Sequence, residues 1–408
     1  GIAIQSSYNR YNVDFSGDLK LTRNFKVFTR VSFANTSDKQ IYVGGIFTAA
    51  MIGPPTVKRY FEDGTLAPGE SISYANPEYS LSTHFPNNNA TNLTIIAGAQ
   101  WKILPGLTFN PQISFYQRSV YSRNFTKSFL NGPINLNTSR TATGSYTQEF
   151  DPQGSAVLTY IKSIKDVHNI EVDGGFSYFG TDNSSLSATG NNAATDLIPT
   201  LNASGTPVSV SGSESHQIIM GYFSRVTYNY KQKYLFNASL RYDGASVLGD
   251  QNKWGLFPGI SVGWKVDKEN FWKIFPENLI QLKLRGSYGA TGNISGLGFY
   301  QAQGQYSTGT RYSGNPGIQI TTLPNQDLKW EQSKTLDFGT DIGLLNNRIG
   351  IAFDVYRRVT DNLLTTLSLP PSTGFSSILT NYGSLENKGI EVEVSAQVLP
   401  SSSAFQWT

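Results

Sequence analysis

Three histidines, His84, His168 and His216, are the side chains of this chain best suited to proton transfer or metal binding. Their spacing fits neither a zinc-ligand run nor a nucleophile triad, and the absence of cysteine removes thiolate ligands and thiol nucleophiles together. The carboxylates Asp337, Asp341, Asp354, Glu391 and Glu393 suggest the pair that a glycosidase needs, two groups converging within about 5–10 Å. Each, however, occupies the polar position of an alternating segment, which assigns it to a water-lined surface rather than to catalysis. Gly289, Gly292, Gly296 and Gly298 miss the phosphate-cradling spacings and precede no helix, so a turn or a loop is expected there. Asn87, Asn88, Asn89 and Asn92 could touch sugar hydroxyls or calcium, but they lack the carboxylate rhythm of a calcium loop and read as loop. The sequence therefore predicts no enzyme, with no catalytic, cofactor-binding or metal-binding residue and no cofactor.

What must position these residues is a set of strands. In the segment from Ile390 to Val398, Ile390, Val392, Val394, Ala396 and Val398 interleave with Glu391, Glu393, Ser395 and Gln397, giving one apolar and one polar face. The pattern recurs in Ile280, Leu282 and Leu284 against Gln281, Lys283 and Arg285, and in Phe236, Ala238 and Leu240 against Asn237, Ser239 and Arg241. Period-two runs fall at about 9–21, 25–36, 92–103, 107–120, 148–163, 167–181, 216–230, 233–247, 254–267, 279–291, 331–344, 349–361 and 386–399. That makes about thirteen strands, many longer than the ~10 residues that cross a bilayer.

Composition points the same way. Aromatic residues make up 13% of the chain and charged ones only 15%, well under the roughly one quarter usual in soluble domains. No run approaches the ~18 apolar residues of a membrane helix, so any crossing is made by strands. A net charge of +3 with scattered basic residues excludes a nucleic-acid partner.

The connections alternate between short turns, such as 22–24, 104–106, 163–166, 231–232 and 345–348, and mostly long polar loops at 37–91, 121–147, 182–215, 292–330 and 362–385. Two depart from this, the short 248–253 and the rather long 268–278. Short turns on one side and long loops on the other are the mark of a transmembrane β-barrel, with periplasmic turns and extracellular loops. Trp254 and Phe257 are expected at one aromatic rim, and Trp264, Phe271, Trp272 and Phe275 near the other. Pro111, inside the run Leu107, Phe109, Ile113 and Phe115, implies a bulge or a misplaced strand. The competing fold is a soluble, secreted all-β carbohydrate-binding protein, whose apolar faces would pack on one another.

Specific residues add a resemblance. Leu240-Arg241-Tyr242-Asp243-Gly244-Ala245-Ser246, Asn252-Lys253-Trp254-Gly255-Leu256-Phe257-Pro258 and Ser261-Val262-Gly263-Trp264 resemble the SusC/RagA-type TonB-dependent outer-membrane transporters of Bacteroidetes. So do the segment Leu282 to Asn293, Asp327-Leu328-Lys329-Trp330-Glu331, Asn346-Asn347-Arg348, Asp361-Asn362-Leu363-Leu364, Ser372-Thr373-Gly374-Phe375 and Glu386-Asn387-Lys388-Gly389-Ile390-Glu391, in the family's order. Leu248 departs from it, standing where the family usually has a basic or aromatic residue.

The resemblance implies an antiparallel transmembrane barrel of about 22 strands, of which residues 1–408 hold the β-barrel portion without plug domain or signal peptide. The segment Phe405–Thr408 reads as the start of a further strand. It further implies active import across the cell outer membrane of glycans, or else peptides, with a SusD-like surface lipoprotein as lid and the TonB complex acting through the plug. The loop aromatics Tyr60, Phe61, Tyr74, Tyr79, Tyr306 and Tyr312 are then candidates to stack on sugar faces, or simply to pack the loops.

Overall fold

In the computed structural model, which describes residues 6–39, 43–71, 74–276 and 279–398, thirteen segments with period-two alternation join into one antiparallel sheet. They are β1 (Ser7–Lys20), β2 (Phe25–Lys39), β3 (His84–Leu104), β4 (Leu107–Thr126), β5 (Thr141–Ile164), β6 (His168–Ala193) and β7 (Ser204–Tyr230). After them come β8 (Tyr234–Ala245), β9 (Trp254–Lys265), β10 (Ile280–Asn293), β11 (Glu331–Leu344), β12 (Ile349–Asp361) and β13 (Ser384–Ala396). Their order in the sheet is their order in the chain, and the sheet runs from β1 to β13 without closing. The expected 386–399 strand ends at Ala396, and Phe405–Thr408 lies outside the described residues.

Register keeps one face apolar across the sheet, because a single-residue slip would turn every such side chain over. Phe15, Val31, Ile95, Phe115 and Pro152 form one cross-strand row. Further on, Leu240 opposes Pro258, Ala238 opposes Ile260, and Val355 opposes Ile390. Many of these side chains remain exposed, Ile390 to 67% and Phe15 to 61%. Among the described residues no second sheet layer packs on them, unlike the apolar faces of a soluble sandwich, which pack on each other.

Two aromatic belts bound this face. On the side of the short turns, His168, Tyr230, Tyr234, Trp264 and Phe271 follow one another with ring centroids 4.9–6.5 Å apart. On the side of the long loops, Phe176, Tyr222, Trp254 and Tyr242 make contacts of 4.8–6.4 Å. Trp254 and Trp264 stand at opposite ends of β9. Ten residues at about 3.3 Å each, tilted by about 40°, span ~25 Å, the height of the apolar band of an outer-membrane barrel. Beyond that height outward-facing charges begin, as in the pair Arg357–Glu386 at 2.9 Å.

Five strands exceed expectation by six residues or more, and β2 by three. β3 starts at His84 rather than 92, β4 runs to Thr126, β5 starts at Thr141, β6 runs to Ala193 and β7 starts at Ser204. Their added lengths lie past the belt, where both faces meet water and the apolar alternation that marks a strand disappears. The stretch Asn87 to Asn92 thus belongs to β3 and not to a loop. Gly289 and Gly292 likewise lie in β10, while Gly296 and Gly298 are in the following loop. Pro111 produces no bulge: its pairing with Ala156 is regular, while the ladder toward β3 lapses between Gly98–Gln112 and Trp101–Phe109 without a change of register. The missing N–H falls in that lapse. The connection after β2 contains two helices, α1 (Val43–Ile52) and α2 (Pro77–Thr83), the second capped by Asn76.

Candidate functional site

The face opposite the apolar wall carries the charges. Arg225 on β7 donates to Asp173 (2.7 Å) and Glu171 (2.9 Å) of β6, and Arg241 on β8 donates to Asp243 (2.7 Å) and to Ser177 Oγ (2.9 Å). Farther along the sheet Arg285 on β10 meets Asp341 (3.0 Å), Asp354 (2.7 Å) and Asp337 (3.4 Å), and Lys283 meets Asp341 (3.1 Å). A Cβ at Gly339 would overlap the Arg285 guanidinium, so glycine there leaves the room that lets one arginine bridge three strands. Asp337, Asp341 and Asp354, singled out in the sequence, therefore come together around a cation. Glu391 and Glu393 lie in β13 on the same face, Glu391 opposite Asp354. This is a water-lined ladder of ion pairs.

The histidines stay apart. His168 stacks on Tyr228 and meets the Tyr230 ring at a tilt at the short-turn belt, with Nδ1 2.8 Å from the Tyr228 hydroxyl. His84 follows α2, where Nδ1 lies 2.9 Å from the Ser80 carbonyl, and His216 pairs with Asp182. Among the described residues no group of three or more His, Cys, Asp or Glu side chains is placed to hold a metal.

Over the wet face at the long-loop end lies the larger of two buried apolar clusters among the described residues. Val247 and Leu248, in the short 246–253 connection, pack with Ala245, Phe257, Ala302, Leu328 and Trp330. Phe257 pairs in register with Arg241, so it points to the wet face rather than to the aromatic rim expected of it. Its ring meets Trp330 edge-on at 5.4 Å. Leu248, the residue that departs from the family pattern, is fully buried. Hydrogen bonds tie three loops into one unit around this cluster. Trp330 Nε1 donates to the Lys253 carbonyl (2.9 Å), the Gly249 amide to the Leu328 carbonyl (3.0 Å) and Asn325 Nδ2 to the Leu379 carbonyl (2.8 Å). Asn381 accepts from the Lys329 amide (2.9 Å) and donates to the carbonyls of Lys329 and Asn362. A Cβ at Gly249 would overlap the Gln326 carbonyl, so only glycine lets these two loops approach. The shared segments Asn252–Phe257 and Asp327–Glu331 thus meet as an anchor, which their separation in sequence hid.

On this loop unit lies a groove of about 550 Å³ lined by Gln301, Gln319, Thr321, Thr322, Phe375 and Ser376, among others, with no charged side chain. Neutral donors and acceptors beside one aromatic ring suit a neutral, hydroxyl-rich ligand. Of the loop aromatics picked from the sequence, Tyr306 and Tyr312 are largely exposed, whereas the Tyr79 hydroxyl accepts from the Leu130 amide (2.7 Å) and holds loops together.

At the opposite edge the 266–279 connection is latched by Glu269, which accepts from the Tyr234 hydroxyl (2.6 Å), Lys233 Nζ (3.0 Å) and Trp264 Nε1 (3.2 Å). These donors, Tyr234 foremost, hold its carboxyl down at about 2 instead of 4.5. Since the folded value lies below the unfolded one, the latch contributes fully above about pH 4.5 and is lost as pH falls through about 2. The Glu269→Gln variant of the whole protein is expected to unfold at lower urea than the parent at pH 7, the gap closing toward pH 2. Equal midpoints at pH 7 would remove the latch.

Comparison with known proteins follows from this geometry. The family described as TonB dependent receptor-like, beta-barrel matches residues 5–408. TonB-dependent receptor P39 of Formosa agariphila is 32% identical over 423 residues, covering 100% of this chain and 39% of that protein. TonB-dependent receptor SusC of Bacteroides thetaiotaomicron is 36% identical over 199 residues, 46% of this chain and 19% of its own length. Among solved structures, the RagAB peptide importer in its closed-closed state superposes with a TM-score of 0.85 at 20% identity, over 97% of this chain and 45% of that one. The chain thus spans less than half the length of these relatives.

Proposed function

Because the chain belongs to the TonB-dependent receptor β-barrel family, a family of outer-membrane transporters and receptors, and is of SusC/RagA type, we propose that it forms much of the barrel wall of an active importer of large nutrients, neutral glycans first. In this reading the short turns face the periplasm, the long loops face outside, and the rest of the protein supplies a plug that the TonB complex pulls. A SusD-like lipoprotein closes over the loop unit, the outer-membrane lipid surrounds the apolar face, and the ion-pair ladder lines the channel. No chemistry is done on the cargo.

The observation that carries the glycan reading is the uncharged groove between Gln301, Gln319 and Phe375. Peptide is the second reading, favoured by the close superposition on the RagAB peptide importer. In a strain whose own gene for the whole protein is replaced by Gln301→Ala and Gln319→Ala versions, the concentration of a neutral oligosaccharide giving half-maximal uptake is expected to rise about tenfold per lost hydrogen bond at most. Uptake of the monosaccharide stays unchanged. Uptake of oligopeptides but of no oligosaccharide would replace the first reading by the second.

A further inference from the structure

A cavity of about 630 Å³ opens at the long-loop ends of the first strands, lined by Lys39, His84, Phe85, Asn87, Arg123 and Phe125, with Pro199 reaching it from the 194–203 loop. Register fixes which way it faces. Ser7 opposes Lys39, Asn87 opposes Arg123, and Asp38 opposes Asn88, so Lys39 stands beside Asn87. Counting by twos, this row shares its face with Val31, Ile95 and Phe115, the apolar outer wall, and not with the wet face. The cavity therefore looks away from the channel.

Its height follows from the belts. Trp101 packs against Phe25 at 6.5 Å beside the short turns, and Asn87 lies fourteen residues farther along β3. At about 3.3 Å per residue and 40° of tilt that is ~35 Å, about 10 Å beyond the apolar band. This is the level of lipid headgroups in the outer leaflet.

Three features define the ligand's chemistry. Lys39 and Arg123 stand on strands two apart, about 10 Å between backbones, and among the described residues neither has a carboxylate partner, nor does any carboxylate line the cavity. Asn87 Oδ1 between them is buried and accepts no hydrogen bond. Phe85, Phe125 and Pro199 give an apolar surface, with Lys127 Nζ held 4.4 Å from the centre of the Phe85 ring. A ligand completing the site brings negative charge for the two cations, a hydroxyl for the asparagine oxygen and an aliphatic ring face for the aromatics. Its chains would then run down the apolar wall. We propose that this cavity is an outward-facing site for the phosphorylated sugar headgroup of an outer-leaflet glycolipid.

The test uses the whole protein, purified, stripped of lipid and titrated in mixed micelles with a phosphorylated glucosamine-disaccharide lipid, with its dephosphorylated form, and with glucosamine phosphate lacking acyl chains. The phosphorylated lipid is expected to bind at least tenfold more tightly than either. The Lys39→Gln/Arg123→Gln variant is expected to lose at least tenfold, whereas the charge-conserving Lys39→Arg/Arg123→Lys variant keeps binding. Heat-modifiable gel mobility checks that both are folded. Equal affinity for phosphorylated and dephosphorylated lipid, or an unaffected glutamine variant, would overturn the assignment. So would glucosamine phosphate binding as tightly as the lipid, which would make this a site for a free solute. None of these outcomes depends on what the channel imports.

Discussion

Replacing Leu248 with aspartate is expected to release the loops from the channel mouth while leaving the barrel wall intact. Leu248, Leu328 and Ala302 are fully buried, and Lys253, in the same connection as Leu248, already pairs with Asp250 at 2.6 Å. A carboxylate placed there has no partner, and an unpaired buried charge costs several kcal/mol. The unit escapes that cost by opening, since it is joined to the sheet through one small core and a few hydrogen bonds. Protease cleavage within residues 294–330 on intact cells is expected to rise about a hundredfold, equivalent to about 2.8 kcal/mol of local opening. Leu248→Ala removes the side chain and leaves a cavity, costing about 2–5 kcal/mol. Leu248→Met keeps the volume and costs under about 1.5 kcal/mol. An aspartate variant as resistant as the parent would show that hydrogen bonds alone hold the loops.

The second large effect concerns the wall. Ile260 lies near the middle of β9, between Trp254 and Trp264, on the apolar face opposite Ala238. Arginine at the bilayer midplane on the lipid face costs about 2–4 kcal/mol and at the interface about 0–1. Ile260→Arg in the whole protein is expected to lower folding stability in lipid vesicles by that larger amount, measured as the shift in urea midpoint multiplied by its slope. Ser239→Arg, one position along β8 from the Ile260 partner but on the wet face, is expected to change it by well under half as much. Equal effects would mean that both faces meet the same solvent.

The alternation of side chains makes the wall legible in the sequence alone. Thirteen strands, their faces and most of their turns follow from period two, because lipid on one side and water on the other force every second residue. Where that constraint ends, so does legibility. The outer halves of β3 to β7 are rich in Asn, Ser, Thr and Gly and have water on both faces, so a strand there reads like a loop. Phe257 shows another limit: it sits at the right end of β9, but its parity sends it into the loop core. The cluster around Leu248 joins residues up to about eighty positions apart, and nothing local in Leu328 or Ala302 announces it. The outward cavity is equally hidden, since Lys39, Asn87 and Arg123 become neighbours only once register is known.

The order of the sheet also fixes an order of assembly. Every one of the thirteen strands pairs with its neighbours in the chain, so no pairing within it waits for a distant segment. What differs is the length of chain to be closed. β1 and β2, β3 and β4, β5 and β6, β7 and β8, and β11 and β12 are joined by a few residues, whereas the chain between β2 and β3 runs from Lys39 to His84. Closing a loop becomes costlier by about 0.6 kcal/mol with each doubling of its length. The hairpins of the short-turn edge are therefore the cheapest units to form, and the wall grows by joining ready-made pairs. Its kinetics are set at the edge with the tight turns, although most of its long connections lie at the other.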